Sequence, residues 1–153
     1  MSKHHRNRNW APAPQPLPED AHVIDNHTHV ASVVPFSQAM SHEAMEKGQG
    51  EVPVYSVDEL LEQAQKVGVE GVIDCGCELP NLMTAIDMAR EHPGTVHAAI
   101  AIHPNEAVLH GHRGAPGPDG LPIKYKPWHD IPFDEAMAEV HRLATTYPNQ
   151  VVS

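Results

Sequence analysis

Apolar and polar positions fall in repeating blocks along this chain. A short apolar run ends in polar or small residues, and a stretch with helical spacing follows. "HVID" (22–25) reads as a short buried strand, and "SVDELLEQAQKVG" (56–68) as a helix with Val57, Leu60, Leu61, Ala64 and Val67 on one face. Ser56 and Glu59 have capping-box spacing, and Gly68 is the expected stop. "GVIDCG" (71–76) is the second strand. "PNLMTAIDMAREHPG" (80–94) is its helix, with Pro80 in the first turn and Leu82, Met83, Ile86 and Ala89 inward. "TVHAAIAIHP" (95–104) is the third strand, and "FDEAMAEVHRLATTYP" (133–148) its helix, with Met137, Val140 and Ala144 on one face. "NQVVS" begins a fourth apolar run.

Buried strands alternating with amphipathic helices predict an α/β fold built on a parallel sheet. Two connections are long, residues 30–55 and residues 104–132. Both leave the C-terminal ends of strands, the edge at which α/β sheets place their sites. Loops of that length in a compact domain usually carry function or lack order.

Composition narrows the picture. Apolar residues make up 41% of the 153, enough for a sizeable core. The formal charge of −10 argues against nucleic-acid capture by a broad basic surface, although bound metal ions could still hold such a substrate locally. No apolar run is long enough to span a bilayer, so no membrane partner is expected. Residues 1–20, "MSKHHRNRNWAPAPQPLPED", lack the apolar centre of a secretory signal and read as a disordered Pro-rich tail ahead of a domain over 21–153. Two cysteines make no disulfide framework, which points to a reducing, cytoplasmic location.

The chemistry concentrates at strand ends. In "VIDNHTHVAS" (23–32), His27 and His29 stand two apart just past a strand, where extended backbone turns both to one side. Neutral imidazoles so placed can share a divalent ion, and more ligands must come from elsewhere. The bland alternative is two surface histidines in a chain that has 13. Asp25 would orient one of them or satisfy nearby backbone. His103, ending the third strand in "AIAIHPNEA", would contact substrate or support a ligand, or is a strand-end residue before a turn. Glu106 reads as solvated, though on the rim; Cys75 and Cys77 form a C-x-C pair that could bind a soft metal but read better as small buried hydrophobes, and His110 and His129 read as loop residues. No Gly-rich phosphate loop, G-x-S-x-G elbow or H-E-x-x-H is present.

"IDNHTHV" and "AIAIHPNEA", with "VIDCGCELPN" between them, resemble the TatD family of metal-dependent hydrolases. The first looks like that family's acid followed by H-x-H, the second like its third strand ending in G-x-H-P. Ala101 stands where the family usually has glycine. The resemblance implies a (β/α)8 barrel, of which about three βα units and the start of a fourth strand are here. A whole barrel takes about 250 residues. It implies a deoxyribonuclease cleaving phosphodiester bonds with divalent metals (Zn, Mg or Mn), His27 and His29 being two metal ligands and His103 helping to position a phosphate. The family's remaining ligands, beginning with a glutamate in G-E-x-G-L-D, would follow residue 153. On that expectation the chain is an N-terminal part, inactive or weakly active without the missing C-terminal half. The alternatives are another H-x-H metallohydrolase, either a PHP phosphoesterase or a small-molecule amidohydrolase, and an inactive split-chain fragment.

Overall fold

The computed structural model describes residues 18, 20–49, 53–117, 120 and 124–153. The expected tail therefore lies outside the described residues except for Pro18 and Asp20. The elements run β1 (Val23–Thr28), α1 (Val30–Glu46), α2 (Val57–Lys66), β2 (Val69–Gly76), α3 (Leu79–Glu91), β3 (Val96–Ile100), α4 (Pro104–Ala107), a 3-10 turn (Pro127–Asp130) and α5 (Phe133–Thr146). The three strands form one parallel sheet in the order β1-β2-β3. Beyond β3 the sheet continues at a single parallel bridge, Ala98 with Val151. It is held by Ala98 N–H to Gln150 C=O (2.8 Å), Val152 N–H to Ala98 C=O (2.9 Å) and Ile100 N–H to Ser153 C=O (2.9 Å). The fourth apolar run thus extends the sheet on the β3 side.

The helices form for the reasons the spacing gave. Ser56 Oγ accepts the Glu59 N–H, and the Glu59 carboxylate accepts the Ser56 N–H, closing the capping box of α2. Gly68, at φ +95°, takes the left-handed turn that ends this helix. α3 starts on Leu79–Pro80 and buries Leu82, Ala85, Ile86 and Ala89 against β2 and β3. Gly76 lets α3 approach closely, since a Cβ there would meet Asn81 O at 2.8 Å and Leu82 Cα at 3.0 Å. The core lies between α3 and the sheet, with Leu61 joining from α2 and Ala136 and Leu143 from α5.

Three expectations change. The connection after β1 contains the 17-residue helix α1. Its inward positions are Val30, Ala31, Val34, Ser37, Met40, Ser41 and Ala44, so two serines interrupt the apolar stripe that would announce it. On α5 the buried face is Ala136 and Leu143 with Val140 beside them, and Met137 is 39% exposed. The strand over "HVID" is also not buried: it runs to Thr28, and all but its last residue are exposed.

Candidate functional site at the strand ends

β1 and β2 pair through Thr28 with Asp74, so the residue after Asp74 lies beside the H-x-H turn. There Cys75 meets both histidines. Its backbone carbonyl accepts from His29 Nδ1 at 3.0 Å, and its Sγ lies 3.7 Å from His27 Nδ1. The two imidazoles meet edge to face, centroids 5.3 Å apart and planes at 85°. Both are exposed. Because a carbonyl only accepts, His29 carries its proton on Nδ1 and presents a bare Nε2.

Two acids shape the turn from opposite sides. Asp25 Oδ1 accepts the His27 N–H at 3.2 Å, so it serves the backbone rather than an imidazole. Asp74, buried at 2% exposure, accepts the Ala31 N–H at 3.4 Å. His29 is the N-cap of α1 and gives no side-chain cap, and Asp74 fills that place from the neighbouring strand. Burial pushes the Asp74 carboxyl above its usual range, while the N–H groups of Ala31 and Val30 and the nearby His29 draw it partly back. Burial likewise raises the thiols of Cys75 and Cys77, and the neighbouring Asp74 carboxylate adds to both. Asp74 did not stand out in the sequence, and Cys75 did so only as half of a C-x-C pair, not as a partner of the histidines; for both the signal was position at a strand end.

His103 lies on the same edge. Past β3 the chain keeps pairing with the end of β2, Ala101 N–H to Gly76 C=O and His103 N–H to Cys77 C=O, each at 2.9 Å. His103 caps α4, its Nδ1 accepting the Asn105 N–H at 3.1 Å. Its proton therefore sits on Nε2, the opposite tautomer to His29.

Past α4 lies a second cluster that the sequence did not foretell. His129 is fully buried, its Nδ1 accepting the Lys126 N–H at 2.9 Å while its Nε2–H donates to Glu106. Trp128 Nε1 reaches the same carboxylate oxygen at 3.5 Å. His110, 1% exposed, donates from Nδ1 to Ile131 C=O at 2.8 Å and packs edge-on against His129. Glu106 is thus a half-buried anchor for the long loop rather than a solvated residue, and His110 and His129 are buried within that loop.

The donor chemistry at the rim fits two ligands of a divalent ion. Metal-bound imidazoles typically hand their other ring proton to a backbone carbonyl or a carboxylate, as His29 does to Cys75. Among the described residues no group of three His, Cys, Asp or Glu side chains stands ready for one ion. Among those residues no helix is long and apolar enough to cross a membrane.

Residues 24–152 match the model of the TatD related DNase family, and no curated protein or solved structure matches the chain. With that span covered, the chain belongs to the TatD related DNase family. This is a family of metal-dependent hydrolases, and the matched span contains both "IDNHTHV" and "AIAIHPNEA".

Proposed function

We propose that this member of the TatD related DNase family cleaves phosphodiester bonds in DNA, with His27 and His29 holding a divalent ion and His103 donating to the phosphate. The observation that carries the reading is the opposed anchoring of two rim histidines. His29 gives up its Nδ1 proton to Cys75 C=O and keeps Nε2 bare, the form that binds a cation. His103 takes the Asn105 N–H on Nδ1 and keeps its proton on Nε2, the form that donates to an anionic oxygen. Both sit where the ends of adjacent strands meet. A divalent ion bound there supplies an activated water and offsets charge on the phosphate.

The chain's own residues fix the geometry. Asp25 holds the turn through the His27 N–H, and Asp74 holds the first turn of α1 and with it His29. With a net charge of −10 the chain repels polyanions at long range, so substrate capture rests on the ion and the His103 donor. The parallel order β1-β2-β3, extended at Val151, is how a (β/α)8 barrel begins. We read residues 21–153 as the opening units of that barrel, preceded by a tail over 1–20. Two free cysteines agree with a reducing, cytoplasmic setting. Zinc, magnesium and manganese all remain candidates for the ion.

Calorimetry with zinc or manganese tests the ligands, and a nuclease assay on end-labelled DNA tests the reaction. The 153-residue chain is expected to bind the ion weakly and to turn over DNA slowly. Equal binding by the His27→Ala, His29→Ala double variant would overturn the H-x-H assignment. Robust turnover lost in His27→Ala would show that no further ligands are needed.

A further inference from the structure

We propose that Cys75 is the positioning residue for both rim imidazoles, its carbonyl taking the Nδ1 proton of His29 and its Sγ the Nδ1 proton of His27, so that both Nε2 atoms face outward bare. The inference deepens the metal reading above and rests on it. A single β2 residue reaches both rings because the β1–β2 register sets it one step beyond the Thr28–Asp74 pair. The contact to His29 is 3.0 Å and fixes its tautomer without choice, since a carbonyl cannot donate. The contact to His27 is 3.7 Å, within reach of a hydrogen bond to sulfur, and a thiol can either give or take.

The thiol gives its own proton to the Ile73 carbonyl, 3.9 Å from Sγ, which leaves the sulfur to accept from His27. His27 meets His29 edge to face at 5.3 Å, so the pair is held as a unit with His29 already committed to a bare Nε2. And His27 Nδ1 is the ring nitrogen turned toward Cys75, which leaves Nε2 on the side away from the strand. The sulfur therefore works as an orienting partner and not as a ligand, the part a carboxylate or carbonyl plays behind metal-bound histidines.

The test reads tautomers without metal and affinity with it. Long-range proton–nitrogen spectra of the metal-free protein should show His27 and His29 both protonated at Nδ1. In Cys75→Ala, His27 should shift toward the Nε2–H form while His29, held by backbone, keeps its pattern. Cys75→Ser should restore His27. Zinc affinity should fall by about 10- to 100-fold in Cys75→Ala and recover in Cys75→Ser. If tautomers respond as stated but no variant binds metal, the metal reading fails and the positioning role stands. An unchanged His27 tautomer in Cys75→Ala overturns the proposal. So does a sulfur-to-metal charge-transfer band with cobalt, which would make Cys75 a ligand.

Discussion

β1 and β3 are both short parallel strands read from apolar runs, yet they live in different surroundings. β3 alternates buried and half-buried positions, with Val96, Ala98 and Ile100 at 5% exposure or less. β1 shows nothing buried, and Val23 and Ile24 stand 36% and 58% exposed. The cause is coverage. α3 lies over β2 and β3 and brings Leu82, Ile86 and Ala89 to them, and the Val151 bridge pairs the far edge of β3. β1 hydrogen-bonds to β2 on one side only among the described residues. The comparison separates two jobs. β3 carries stability, and β1 carries His27 and leads into His29.

The largest expected effect breaks that comparison if it fails. Ile86→Ala, under α3 against the covered part of the sheet, should cost about 2–5 kcal/mol. Ile24→Ala in β1 should cost under about 1 kcal/mol, since its side chain leaves little water-free surface behind. Urea unfolding of both variants gives the difference. Equal costs would mean that β1 is covered as fully as β3.

The next effect sits at the junction. Gly76→Ala would drive a Cβ into Asn81 O and Leu82 Cα, both backbone atoms that cannot rotate away. Overpacking of this kind costs about 1–3 kcal/mol. A thermal melt should show the loss. Gly94→Ala is a poor control because its φ of +82° strains any side chain, so Ala99→Gly, half-buried in β3 opposite Cys75, serves better.

Much of this was legible from sequence, and what was hidden was hidden for physical reasons. The capping box of Ser56 and Glu59, the stop at Gly68 and the inward Leu82, Ile86 and Ala89 are local signals, written within one or two turns. α1 escaped notice because Ser37 and Ser41 occupy its inward stripe and Pro35 lies inside it. Glu106 and His129 are 23 residues apart, and Cys75 and His27 are 48 apart. No local spacing encodes such pairs. Only the strand register and the path of the loop bring them together. The H-x-H and the I-H-P were readable as chemistry, but which nitrogen of each ring is free was not, because that is set by partners elsewhere in the chain.

A smaller expected effect concerns the loop beyond β3. Glu106→Ala removes the acceptor of a fully buried His129 Nε2–H and of Trp128. An orphaned buried donor costs about 1–3 kcal/mol, with the lower end expected here because the site lies in a loop rather than under α3. Glu106→Gln keeps an acceptor and should recover most of the loss. Hydrogen exchange at Lys126, whose N–H is held by His129 Nδ1, reports the change directly. Unaltered protection there in Glu106→Ala would show that the loop is held by packing alone.

The smallest effect on stability should come from the residue with the largest effect on function. His27 is exposed, and among the described residues its ring meets the Cys75 sulfur at 3.7 Å and the edge of His29. Surface substitutions away from packed features fall within about 0.5 kcal/mol, so the metal-free His27→Ala chain should unfold almost where the parent does. Adding zinc should separate the two. A ligand that binds only the folded state at about 100 times its Kd adds about 2.7 kcal/mol, and the parent should gain this while His27→Ala gains little. The same urea titration, run with and without zinc, therefore measures both halves of the comparison between β1 and β3. If His27→Ala already loses several kcal/mol without zinc, β1 is structural after all. If zinc stabilises both chains equally, the ion binds elsewhere, and the exposure of β1 needs a different explanation.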